Sequence, residues 1–159
     1  MKHDVEGILF WVLIVIVIII GIIGARAEES NAWVMCQPDS FVNIRESPGK
    51  GGRVVGYLEL GDAIQTGGRR NGYCHITGAT TESGEGWVAR GYIVTDCPQV
   101  ETVAAWVDSD GRVACRRAIG GNRRKWLHGG DRLTLYASSA EWSITSEGFI
   151  QTEYILAER

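Results

Sequence analysis

The sequence predicts an all-β protein: two small barrels in tandem, preceded by one transmembrane helix. Three observations carry that expectation. The first 27 residues are far more apolar than the rest. Beyond them, short alternating apolar segments stop at Gly, Asn, Asp or Ser, which reads as strands and tight turns rather than helices. Finally, "EGWVARGYI", beginning at Glu85, returns as "EGFIQTEYI", beginning at Glu147, the mark of one unit used twice.

A chain of 159 residues holds one ordinary domain or two very small ones. With 45% hydrophobic and 22% charged residues it is globular, not disordered. A net charge of −3 gives no global pull toward nucleic acid or an anionic surface, so no nucleic-acid partner is expected.

Residues 7–25 carry no charge at all. As a helix this run is about 28 Å long, the thickness of a bilayer's hydrocarbon core. A helix satisfies its own backbone groups and so tolerates lipid as a solvent. Residues 1–27 therefore read as a retained anchor or as a signal peptide cleaved after Ala27, where "ARA" supplies small residues. Both readings stay open: the run is longer than the roughly 7–15 residues usual in a signal peptide, and "MKHDVEG" is not clearly positive. The expected location is the cell membrane, spanned once through residues 7–25 with the barrels extracytoplasmic, or secreted if the leader is cut. Lys2 and Arg26 flank opposite ends, so charge does not set the orientation.

Residues 28–32 form a polar spacer, 33–96 the first barrel, 97–103 a linker and 104–159 the second barrel. "WVMC" opens the strand series; "VNIR", "VVGYLELGD", "GYCHIT" and "GWVARGYIVTD" continue it. The second half follows in register. Val42 corresponds to Val113, Tyr57 to Trp126, Tyr73 to Trp142 and Trp87 to Phe149, at offsets of 71, 69, 69 and 62. The drift falls in "SPGKGG" and "GATTESGE", loops whose solvated backbone accepts length change. A unit of about 55 residues buries only about 60% of its unfolded surface, which invites packing of the two units or a covalent staple.

"VNIRESPGKGGRVVGYLELGD", then "NGYCHI", then "EGWVARGYI" resembles the bacterial SH3 (SH3b) family. The second copy is degenerate: "VACRRAIGG" lacks both the Asn and the Ser-x-Pro of the first. The resemblance implies SH3-like barrels, no catalysis and no cofactor. It also implies binding to cell-wall peptidoglycan or its peptide stems. The alternative is a structural, protein-interacting part of an envelope-associated assembly, such as one encoded by a mobile element or phage, with another envelope protein as partner.

The candidate ligand-binding residues are aromatic: Tyr57, Tyr73 and Tyr92, with their counterparts Trp126, Trp142 and Tyr154. Such rings offer large contact area at low entropic cost. Trp87 and Phe149 read as barrel core. Four cysteines allow three full pairings. Cys36 on the first strand and Cys97 just after the last should lie close in a small barrel, so a Cys36–Cys97 disulfide is the expected bridge, against free thiols. Cys74 and Cys115 read as small core residues. No metal-ligand spacing occurs. Cys74 and His75 are strand neighbours pointing to opposite faces, so they form no catalytic dyad. The basic run "RRAIGGNRRK" reads as a solvated loop, with contact to an anionic wall polymer left open.

Overall fold

Apolar residues at every second position pleat into half-buried strands, and the computed structural model is built from them. It describes residues 29–79 and 84–158. The first half contains β1 (Ser30–Val34), β2 (Val42–Arg45), β3 (Val54–Leu58), β4 (Ala63–Arg70), β5 (Tyr73–Thr77), β6 (Glu85–Ala89) and β7 (Ile93–Val94). The second contains β8 (Gln99–Val107), β9 (Arg112–Arg116), β10 (Arg123–His128), β11 (Arg132–Ser138), β12 (Trp142–Thr145), β13 (Gly148–Gln151) and β14 (Ile155–Ala157). Helical structure among the described residues consists of two single 3₁₀ turns, Arg90–Tyr92 and Thr152–Tyr154.

Each half is one antiparallel seven-stranded sheet. The orders are β3-β2-β6-β5-β4-β1-β7 and β10-β9-β13-β12-β11-β8-β14, the same path with seven added to every strand number. The likeness extends to single bonds. Arg45 Nη1 donates to Gly52 O at 2.7 Å, and Arg116 Nη1 to Gly121 O at 2.8 Å. Asp62 Oδ2 accepts from Glu59 N at 2.8 Å, and Asp131 Oδ2 from His128 N at 2.9 Å, which is what the repeated Gly-Asp turn is for.

Two expectations are corrected. The ladder of each sheet does not close: β3 and β7 are the two edges of the first, β10 and β14 of the second, so neither is a closed barrel. Each sheet instead curls until six strands meet in one core. In the first half Ala32, Ile44, Leu58, Ile64, Ile76 and Val88 pack together. The single-pass membrane location is also set aside, because no helix among the described residues is long and apolar enough to cross a membrane. The expected anchor at residues 7–25 lies outside the described residues.

A third cluster joins the halves. Met35 and Val94 of the first half are buried with Ala137, Ile144 and Phe149 of the second. Tyr92 meets Phe149 edge-on with ring centroids 6.0 Å apart. Polar bonds rim the contact: Ile119 N to Gly91 O at 2.8 Å, Gln37 Nε2 to Thr145 O at 2.9 Å and Ala140 N to Asp96 Oδ2 at 2.6 Å. The two sheets are therefore packed against each other, as marginal units of this size require.

Candidate functional site

In β5 the burial alternates: Cys74 and Ile76 face the core while Tyr73, His75 and Thr77 face outward. In β6 Gly86 and Val88 face inward, which sends Glu85 and Trp87 out. Pairing of His75 with Trp87 and of Trp87 with Arg45 brings these outward residues together across three strands. β3 adds Tyr57, opposite Asn43. The result is an open groove of ≈ 630 Å³ on the outer face of the first sheet, lined by Glu46, Arg53, Tyr57, His75, Glu85 and Trp87 among others.

The groove's floor is aromatic and its rim carries both signs of charge. The His75 and Trp87 rings meet edge-to-face at 5.0 Å. His75 Nε2 lies 3.5 Å from Glu85 Oε2, and Arg53 Nε lies 3.2 Å from Glu46 Oε2. Tyr57, 56% exposed, is propped by an equally exposed Phe41 at 4.7 Å. Arg45 holds the "SPGKGG" loop by its bond to Gly52 O, fixing the groove's end.

The corresponding face of the second half is mostly covered, leaving a smaller cleft of ≈ 380 Å³ lined by Tyr92, Arg116, Arg124 and Phe149 among others. Ile144 pairs with Phe149 just as His75 pairs with Trp87. Yet β12 and β13 have lost the alternation, with Ser143, Ile144, Thr145, Gly148, Phe149 and Ile150 all buried. Met35 and Tyr92 of the first half cover that face. One groove of the pair is free, and the other has become the contact between halves.

The six aromatic candidates do not converge. Tyr57 lines the groove. Trp126 is exposed on β10, with the Arg123 guanidinium 4.4 Å and the Arg112 guanidinium 5.1 Å from its ring centre. Tyr92 and Trp142 belong to the contact between halves, Trp142 lining a cleft there with Arg69 and Arg90. Tyr73 sits half-buried beside the β4–β5 turn. Tyr154 packs on the edge of the second core, and a hydrogen bond to Glu153 pushes its phenol above the usual range. Trp87, read from sequence as core, is instead a groove wall, and His75 was not singled out as a contact residue. Strand parity was the available signal: with Val88 inward, Trp87 must point outward.

The cysteines require a correction. All four are free, and no Cys36–Cys97 disulfide is present. The physical reason is register: β1 and β7 run antiparallel, with Val34 opposite Ile93 and Trp33 opposite Val94, so Cys36 and Cys97 leave the pair at opposite ends. Cys36 is buried and donates its S–H toward Ser40 O at 3.5 Å, while Cys97 is exposed in the turn that follows β7. Burial, chiefly, and then the charges of Asp62 and Glu59 push the Cys36 thiol up to about 11. Desolvation likewise raises Cys74 and Cys115. Among the described residues no group of three or more His, Cys, Asp or Glu could hold a metal ion.

The Asn-aliphatic-Arg strand, the propped loop and the Gly-Trp strand now stand in one sheet. Residues 40–94 match the bacterial SH3 domain family. The match runs from just before β2 through β7, so it takes in the groove and leaves out β1. No curated protein matches the chain. Among solved structures, the chain is similar to NlpC1 from Trichomonas vaginalis, with 11% identity over 84% of this chain and 48% of that one, at a TM-score of 0.37. It is also similar to NlpC2 from the same organism, with 10% identity over 83% of this chain and 49% of that one, at 0.36. The chain thus spans about half the length of these structures, and likeness at that level says nothing of what the matched stretch binds.

Proposed function

We infer that this chain is a non-catalytic binding module whose bacterial SH3 half recognises short peptides of mixed charge, with the stem peptides of peptidoglycan as the leading ligand. One observation carries the reading: the groove over Tyr57, His75 and Trp87 stays open, whereas its counterpart over Ile144 and Phe149 is mostly covered. A volume of ≈ 630 Å³ falls within the range of small-ligand and peptide sites. Its rings supply apolar contact area, and the rim offers carboxylates from Glu46 and Glu85 beside the Arg53 guanidinium. That pairing suits a ligand bearing both ammonium and carboxylate groups, as stem peptides do. Cys74 faces the core while His75 faces the groove, which supports binding rather than Cys-His chemistry.

Calorimetric titration of the full chain with a soluble stem tetrapeptide, together with sedimentation on purified sacculi, tests this. Trp87→Ala is expected to weaken both by at least about tenfold, the cost of losing a buried aromatic anchor. Trp126→Ala, on the other half, is expected to leave tetrapeptide affinity unchanged. Absence of binding by the parent chain, or equal affinity in the Trp87 variant, would reject the reading.

A further inference from the structure

We propose that the β9–β10 ribbon of the second half is a separate binding surface for a linear phosphodiester polymer without bases, a polyol phosphate. Between Gly111 and Gly130 the chain holds Arg112, Arg116, Arg117, Arg123, Arg124 and Lys125, and no acidic residue. The sequence suggested a solvated loop here, but Arg123, Arg124 and Lys125 lie on β10 itself. All three are exposed, as are Arg112 and Arg117. Acidic contact comes from outside the ribbon: Glu147 pairs with Lys125, and its carbonyl accepts from Arg124 Nη1 at 3.1 Å.

The fold does not ask for this charge. β3 holds the same place in the first sheet, pairs with β2 in the same register and carries its irregularity at the same point. There the residues facing Arg45 to Asn43 are Val54, Gly56 and Tyr57; here those facing Arg116 to Ala114 are Arg123, Lys125 and Trp126. Both strands are sheet edges. Charge on an edge strand is one way to block edge-to-edge aggregation, yet β3 does without it. Arg116 and Arg123, moreover, stand directly opposite each other across the ladder, and like charges so placed are destabilising. The ribbon accepts a cost to stability that its twin avoids.

The residue types point to the ligand. Five of the six cations are arginine, whose planar fork matches the paired oxygens of a phosphate. Trp126 orders two of them: Arg112 and Arg123 lie over its ring, held by cation–π attraction. With guanidinium groups over it and no second aromatic between residues 112 and 128, the ring is not the stacking row that single-stranded nucleic-acid binders use. Regularly spaced anionic charge is what the surface can read.

The test is a salt titration of full-chain binding to soluble poly(glycerol phosphate). An oligo(dT) arm is matched in phosphate number. With about four phosphates neutralised, affinity should fall about 50-fold as salt rises from about 50 to about 200 mM. The double variant Arg123→Gln/Arg124→Gln should bind at least about tenfold more weakly and flatten the log–log slope by about 1.4. Arg69→Gln/Arg70→Gln, an equal charge change on β4, should not. Three results would overturn the proposal: no binding to the polymer at low salt, oligo(dT) binding as tightly as the polymer, or equal losses in the two double variants. Circular dichroism of each variant establishes that the sheets persist.

Discussion

A thiol reports its surroundings through its proton, and the four thiols here divide cleanly. Cys36, Cys74 and Cys115 are buried and Cys97 is exposed. Only the thiolate reacts, and burial both raises the three inner thiols and keeps a reagent from reaching them. One thiol per chain should therefore react with an aromatic disulfide reagent under native conditions, and all four in denaturant. Intact-mass measurement checks this; two or more fast thiols, or fewer than four in denaturant, would contradict it. The same shift bears on stability. For Cys36 the folded group sits at about 11 against an ordinary 9.0, so between those values the folded state binds more protons than the unfolded one. Stability is then fully retained below pH about 9 and declines as pH rises toward about 11. Cys74 and Cys115 are shifted in the same direction and add to the decline. Urea midpoints measured across that window should fall, and less steeply in Cys36→Ala than in the parent chain.

At the level of the strand, the returning Gly-aromatic motif has a packing cause. A Cβ on Gly86 would run into Ile44 Cγ2 and come within 3.2 Å of Arg45 O. One on Gly148 would stand 2.6 Å from Arg116 O and 3.0 Å from Cys115 Sγ, with φ at +134° besides. In both halves the strand that carries the Gly-aromatic pair crosses so close to its neighbour that no side chain fits. Gly86→Ala should cost about 1–3 kcal/mol by overpacking. Gly148→Ala should cost more, since its obstacle is backbone and its φ disfavours alanine. Denaturant midpoints rank the two, and equal or negligible losses would show that the strands can part. These features explain what could be read in advance. Alternation, Gly-Asp turns and the Gly-aromatic echo are local, so the all-β class and the strand series along both halves were legible. Trp87 and Phe149 occupy one motif position and look alike in sequence, yet one lines a groove and the other is 3% exposed under the opposite half. That difference is made by contacts from distant chain, which no local pattern contains. Closure of a sheet likewise depends on whether β3 reaches β7, and the two residues of β7 give no hint of it.

For the molecule as a whole, the decisive element is the cluster that neither half owns. Met35 is 0% exposed although it follows the first strand, because Ile144 and Phe149 belong to the same buried group. Two sheets that merely shared a tether would unfold separately, each with its own midpoint. A shared apolar core makes each sheet's loss expose the other's surface, so the chain should unfold in a single transition. Met35→Ala and Phe149→Ala, one from each half, should each lower that one transition, by about 2–5 and about 3–5 kcal/mol. Because both side chains fill one cluster, the double variant should depart from the sum of the singles by about 0.5–3 kcal/mol. Strict additivity, together with a second midpoint in the parent chain, would mean that the covered face of the second half opens on its own. In that case the Phe149 face would be a second groove in waiting, and Met35→Ala should then raise the number of tetrapeptide sites from one to two. A single site in Met35→Ala, coupled losses and one transition are the expected outcome, because burial of Phe149 against Tyr92 and Met35 is what holds the two sheets as one body and leaves the Trp87 groove as the free face.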